Sequence, residues 1–114
     1  MNRREFTKAI STLILEMIKD GNHPIYDFCL RSAEEQKRLF DKGLSKCDGK
    51  NNLSQHQKGL AMDIYFVVES PAGLAQVDYG YEKTAELAKK YHEVWVLMGG
   101  EPIIDWDKPH YESK

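Results

Sequence analysis

Between Phe6 and Ile18 the apolar residues Phe6, Ile10, Leu13, Ile14, Met17 and Ile18 recur at three- and four-residue intervals, separated by Thr7, Lys8, Ser11, Thr12 and Glu16. That period lines them along one side of a helix, and Gly21 supplies its stop. The next stretch, "HPIYDFCLRS", is rich in residues that favour extended backbone (Ile25, Tyr26, Phe28, Leu30), so a short strand is expected there. In "SAEEQKRLFDKG", Ser32 is placed as an N-cap, Glu35 completes a capping box and Gly43 closes a second helix, which leaves Arg31 at a strand-to-helix corner. From Leu44 to Gln55 the chain has no period and reads as a surface loop. Leu60 to Val68 then alternates as a strand does. Leu60, Met62, Ile64, Phe66 and Val68 share one apolar face, and Ala61, Asp63 and Tyr65 share the other. "ESPAG" interrupts the chain, and "YEKTAELAKKYHEV" predicts a third helix with Tyr81, Ala85, Ala88 and Tyr91 along one side. A separate short apolar piece, "VWVLM", is expected to end at Gly99 and Gly100.

Helices and strands mix here without a regular strand-helix-strand alternation. The expected fold class is therefore α+β, a small antiparallel sheet with helices packed on it, in a single domain over residues 1–114. Composition narrows the function. With 41% hydrophobic and 30% charged residues and a net charge of -2, the chain matches an ordinary globular protein, and its 16 basic and 18 acidic residues are interspersed. No basic stripe tracks a phosphate backbone, so no nucleic-acid partner is expected. The polar residues inside the first helix break any signal-peptide core, so the protein is expected to be made in the cytoplasm. No membrane partner is expected, and the protein is expected to be a monomer. Cys29 and Cys47 lack close cysteine partners and are read as reduced thiols.

The strand from Leu60 raises a chemical question, because its polar face carries Asp63. A carboxylate projected from a rigid strand is aimed rather than lost in the core. His56 stands before it, separated by Gly59, where the backbone can turn or approach closely. Near the other end, "DWDKPHYE" places Asp107 and His110 three apart, and Pro109 makes an irregular, shaped segment there. His56, Asp63 and His110 together supply two imidazoles and one carboxylate, a donor set with which a catalytic zinc keeps its fourth position for water. Asp107 is then the candidate base, with Asp105 as its neighbouring alternative. His23 precedes Pro24 in a turn, and His92 is read as ending the third helix, where an imidazole suits the negative end of the dipole. Trp95 and Trp106 read as core or cleft-wall packing, and Trp106, between two aspartates, also as a surface on which substrate stacks.

The pattern S-x-H-x-x-G-x-A-x-D, carried by Ser54, His56, Gly59, Ala61 and Asp63, is followed by D-x-P-H at Asp107, Pro109 and His110. Upstream, Arg31, Ser32 and Gln36 form R-S-x-x-x-Q. Together these resemble the zinc-dependent peptidoglycan peptidases, which include the D-alanyl-D-alanine carboxypeptidases and dipeptidases and the L-alanyl-D-glutamate endopeptidases of phage lysis. The resemblance covers residues from about 25 to 112. It implies a fold like that of these peptidases and the hedgehog signalling domain. It also implies one catalytic zinc on His56, Asp63 and His110, and Asp107 as the catalytic acid/base. Arg31 would contact the substrate or its developing oxyanion, with Ser54, Gln36 and Trp106 also on the substrate. The implied partner is a peptidoglycan stem peptide. The implied activity is L-alanyl-D-glutamate endopeptidase, a phage or prophage lysis enzyme acting on the cell wall once the membrane is breached. A D-alanyl-D-alanine carboxypeptidase or dipeptidase, or a metal-bearing recognition domain that does not cut, are the alternatives. The chain departs from the family at "MGGEP", where Met98, Glu101 and Pro102 replace two tryptophans and an aspartate, and at Leu30, which stands where tyrosine or glycine is usual.

Overall fold

The apolar side of the first helix, α1 (Arg3–Lys19), buries Phe6, Ile10, Leu13 and Met17, as its period requires. Its start is set by Asn2. The Asn2 side chain accepts from the Glu5 backbone N–H at 2.8 Å, and the Glu5 carboxylate accepts from the Asn2 N–H at 2.9 Å. This reciprocal box satisfies two N–H groups that an uncapped helix leaves open. The structure, a computed structural model, describes residues 1–27, 33–43, 55–69, 72–79 and 82–114. Among these residues the elements that follow α1 are β1 (Pro24–Asp27), α2 (Ala33–Asp41), β2 (Ala61–Glu69), β3 (Ala75–Asp78), α3 (Glu82–Leu97) and β4 (His110–Glu112).

Among the described residues all pairings between these strands are antiparallel and all run through β2. Phe66 stands opposite Pro24 of β1 and Asp78 of β3, while Asp63 stands opposite Asp27 of β1 and His110 of β4. A residue has one neighbour on each edge, so β1 occupies one edge of β2, and β4 and β3 share the other, end to end. The protein is thus an α+β domain in which β2 is central. Met62, Ile64 and Phe66 turn their side chains into a core shared with α1 and α3, where Leu87, Tyr91 and Trp95 are buried. Tyr111 of β4 joins it. Trp95 meets Phe6 edge-on at 5.8 Å between ring centres and donates its indole N–H to the Glu112 carbonyl at 2.9 Å, which ties α3 to β4.

Two expectations change and one strand is new. The piece "VWVLM" is no separate segment, because α3 continues to Leu97: Leu87, Ala88, Tyr91 and Trp95 keep one buried side at helical spacing. His92 therefore sits within the helix, buried, and not at its end. The strand β3 was not anticipated; its four residues "AQVD" are half-buried or exposed and leave little alternation to read. Within "DWDKPHYE" the backbone stays irregular through Pro109, as expected, and a strand begins immediately after it. The proline has no N–H to donate, yet its carbonyl accepts from the Ile64 N–H at 2.8 Å, so the ladder reaches Pro109. The remainder of the strand predicted in "HPIYDFCLRS" and the Ser32 cap lie outside the described residues. Among the described residues, no helix is long and apolar enough to cross a membrane.

Candidate metal centre

Asp63 leaves β2 on the face opposite Met62 and Ile64, and cross-strand pairing puts His110 beside it. The third member arrives from a turn. Residues 55–59 fold back on themselves, with Gly59 N–H donating to the His56 carbonyl at 3.1 Å and Leu60 N–H to the Gln55 carbonyl at 2.8 Å. Gly59 adopts φ +73, which strains any other residue, and a Cβ there would stand 2.8 Å from Arg3 Nε. The turn delivers His56, only 5% exposed, to the Asp63 carboxylate.

The three donor atoms form a nearly equilateral triangle. His56 Nε2 to His110 Nδ1 is 3.0 Å, His110 Nδ1 to Asp63 Oδ1 is 3.2 Å, and His56 Nε2 to Asp63 Oδ1 is 3.3 Å. Bonds of 2.0–2.1 Å separate neighbouring donors by about 3.3 Å on a tetrahedral ion and about 3.0 Å on an octahedral one. One small cation therefore fits the triangle. The cluster is a group of buried and half-buried donors that could hold a metal ion.

The electrostatics of the cluster are those of a shared charge. Burial opposes ionisation of Asp63, but hydrogen bonds from His110 and His56, with their positive charge, outweigh it and hold the carboxyl at about 2. Burial likewise opposes the charge on His110, and the Asp63 carboxylate, helped by Asp107 and Glu112, raises its pKa above the ordinary imidazole value.

Asp107 approaches from the turn that precedes β4, its Oδ2 4.0 Å from His110 Nδ1 and its side chain 39% exposed. The turn is held by Asp107 N–H on the Ile104 carbonyl at 2.9 Å and His110 N–H on the Asp107 carbonyl at 3.1 Å. Trp106 is 80% exposed, so it is not a core residue. Trp95, in contrast, is fully buried. Gln36 lies on α2, its side chain outside the described region, and Arg31, Ser54, Cys29 and Cys47 lie outside the described residues altogether.

Two further residues surround His110. His92 Nε2 is 2.8 Å from the His110 carbonyl and its Nδ1 is 2.8 Å from the Ala88 carbonyl, while its ring stacks on Tyr111 at 4.0 Å. Burial lowers the His92 pKa. Glu112 Oε2 lies 3.5 Å from His110 Nε2, the ring nitrogen turned away from Asp63. The spacing of Glu112 two residues after His110 was available as a signal; the partner of His92 was not, since it is a backbone carbonyl of a distant strand. The "MGGEP" segment begins as core structure: Met98 packs against the hydrophobic cluster, and Gly100, bridged to Ser113, lies so close to the Trp95 indole that a side chain there would collide with it.

No model of a known protein family matches this chain, and no curated protein is found to match it.

Proposed function

We propose that the chain is a zinc-dependent peptidase that hydrolyses the bond between L-alanine and D-glutamate in peptidoglycan stem peptides, as a lysis enzyme of phage or prophage type. The observation that carries this reading is the triangle of His56, Asp63 and His110 with the Asp107 carboxylate beside it, 4.0 Å from His110 Nδ1. The motifs that hold these residues are those of the peptidases the chain resembles, and this favours zinc among the small cations that the triangle fits. A zinc ion bound there supplies a water of near-neutral pKa and a Lewis acid for the scissile carbonyl.

The chain's own residues do the rest. Asp107, at the rim of the cluster and partly open to solvent, takes the proton of the attacking water and delivers it to the leaving amine. Trp106, exposed beside it, offers an aromatic face to the substrate. Arg31 is assigned to a substrate carboxylate or the oxyanion by the resemblance alone, as are Ser54 and Gln36 to substrate binding.

The test is mass spectrometry of products from defined stem peptides incubated with the purified protein, with zinc and with a chelator. Chelator-sensitive cleavage between L-alanine and D-glutamate is the expected result. Loss of terminal D-alanine would replace the endopeptidase by a carboxypeptidase, and the absence of zinc-dependent cleavage of any stem would leave a recognition domain.

A further inference from the structure

His110 has its backbone fixed on three sides. It stands opposite Asp63 in the sheet, its N–H donates to the Asp107 carbonyl, and its own carbonyl faces His92 Nε2 at 2.8 Å. The freedom that remains is rotation of the ring. Half a turn about the bond to the ring would place carbon Cδ2 where Nδ1 now stands and remove one corner of the donor triangle. The same corner is lost if the ring proton sits on Nδ1, because the lone pair then points away from the cluster.

Glu112 answers both problems. Two residues on in β4, it projects from the same strand face as His110, and its Oε2 lies 3.5 Å from His110 Nε2. Its carbonyl is held by the Trp95 indole N–H at 2.9 Å and the Glu101 N–H at 3.0 Å, so the carboxylate extends from an anchored backbone. We infer that Glu112 is the positioning residue of the metal centre: its carboxylate accepts the hydrogen bond that His110 Nε2–H donates, which keeps the proton on Nε2, fixes the ring's rotation and tautomer and presents the Nδ1 lone pair beside Asp63 and His56. This rests on the reading of the triangle as a metal site. A carboxylate behind a metal-bound imidazole typically changes metal affinity by about 10- to 100-fold.

The experiment compares zinc affinity, by competition with a chromophoric chelator, in the full chain and in its Glu112→Ala and Glu112→Gln variants, with near-ultraviolet circular dichroism to establish that each is folded. Expected are a loss of about 10- to 100-fold in Glu112→Ala and a smaller loss in Glu112→Gln, which keeps an acceptor oxygen. In zinc-loaded protein labelled with nitrogen-15, the His110 Nε2 proton is expected to be protected from solvent exchange, and to lose that protection in Glu112→Ala. Should Glu112→Ala fail to fold, the near-isosteric Glu112→Gln carries the test: a loss of affinity with faster exchange of the His110 Nε2 proton supports the assignment, and an unchanged affinity, or a loss with no change in exchange, overturns it. Unchanged affinity in both variants overturns the role of Glu112 while leaving the metal site intact. Equal losses in both also overturn it, since the carboxylate would then act through charge and not through orientation. A parent chain that binds no zinc overturns the metal reading and this inference with it.

Discussion

Asp63 and His110 stand directly opposite one another on β2 and β4, and the pairing brings His110 Nδ1 to 3.2 Å from Asp63 Oδ1. Strand register thereby builds two corners of the donor triangle. The third, His56, depends on one glycine-containing turn. The candidate metal centre thus has two supports of different rigidity, and perturbing each should have a different consequence.

The turn is the weaker support. Gly59 holds φ +73, and replacing it by alanine forces a side chain into the left-handed region, which costs about 1–2 kcal/mol. Gly59→Ala is expected to lower stability by about that amount in urea denaturation. It should also weaken metal binding by more than the loss of stability explains, because His56 rides on the same turn. An unchanged affinity would show that the turn does not set the position of His56.

His92 supports the other side. Its Nε2 meets the His110 carbonyl and its ring lies on Tyr111, so His92→Phe keeps the stacking and removes the polar contact. A buried carbonyl left without its partner costs about 1–3 kcal/mol. Thermal unfolding of His92→Phe should report a loss in that range, and a variant as stable as the parent would mean that the contact carries no net weight.

The helix α1 and the strand β2 were legible in the sequence because each writes its period along its own length: Phe6, Ile10, Leu13 and Met17 for one, Met62, Ile64 and Phe66 for the other. His56 and Asp63 could be suspected together because a single turn joins them. Asp63 and His110 are 47 positions apart, and their closeness depends on the pairing of β2 with β4, which no local pattern encodes; only a resemblance in motif, and no periodicity, suggested the pair. Other features stayed hidden for the same reason. The strand β3 has too few buried residues to show alternation, and the place of His92 could be read only once α3 was known to run on to Leu97.

The shifted pKa values give the metal-free protein a defined pH profile. Asp63 is held at about 2 against an ordinary 3.8, so its contribution to stability is present above 3.8 and disappears as pH falls towards 2. His110 is shifted the opposite way, above 6.5, so its contribution is complete below 6.5 and is lost as pH rises through the folded-state value. Urea midpoints of metal-free protein should therefore fall on either side of the interval from 3.8 to 6.5. Added zinc, which takes the place of a proton at Nδ1, should abolish the decline on the alkaline side. A decline that zinc leaves untouched would separate His110 from metal binding.

In the proposed mechanism Asp107 transfers a proton and does not bind the metal. Asp107→Asn is expected to bind zinc as the parent does and to lower stem-peptide turnover by about 100-fold or more. Parent-like hydrolysis would remove Asp107 from the mechanism, and a parallel loss of zinc would make it a ligand.

The most direct measurement is an equilibrium zinc titration of the purified chain beside its His56→Ala, Asp63→Ala and His110→Ala variants, each verified as folded. One ion per chain in the parent, with affinity sharply reduced in all three variants, is the predicted result. A parent that takes up no zinc, or three variants that bind it as tightly as the parent, would contradict the metal centre on which the proposed chemistry depends.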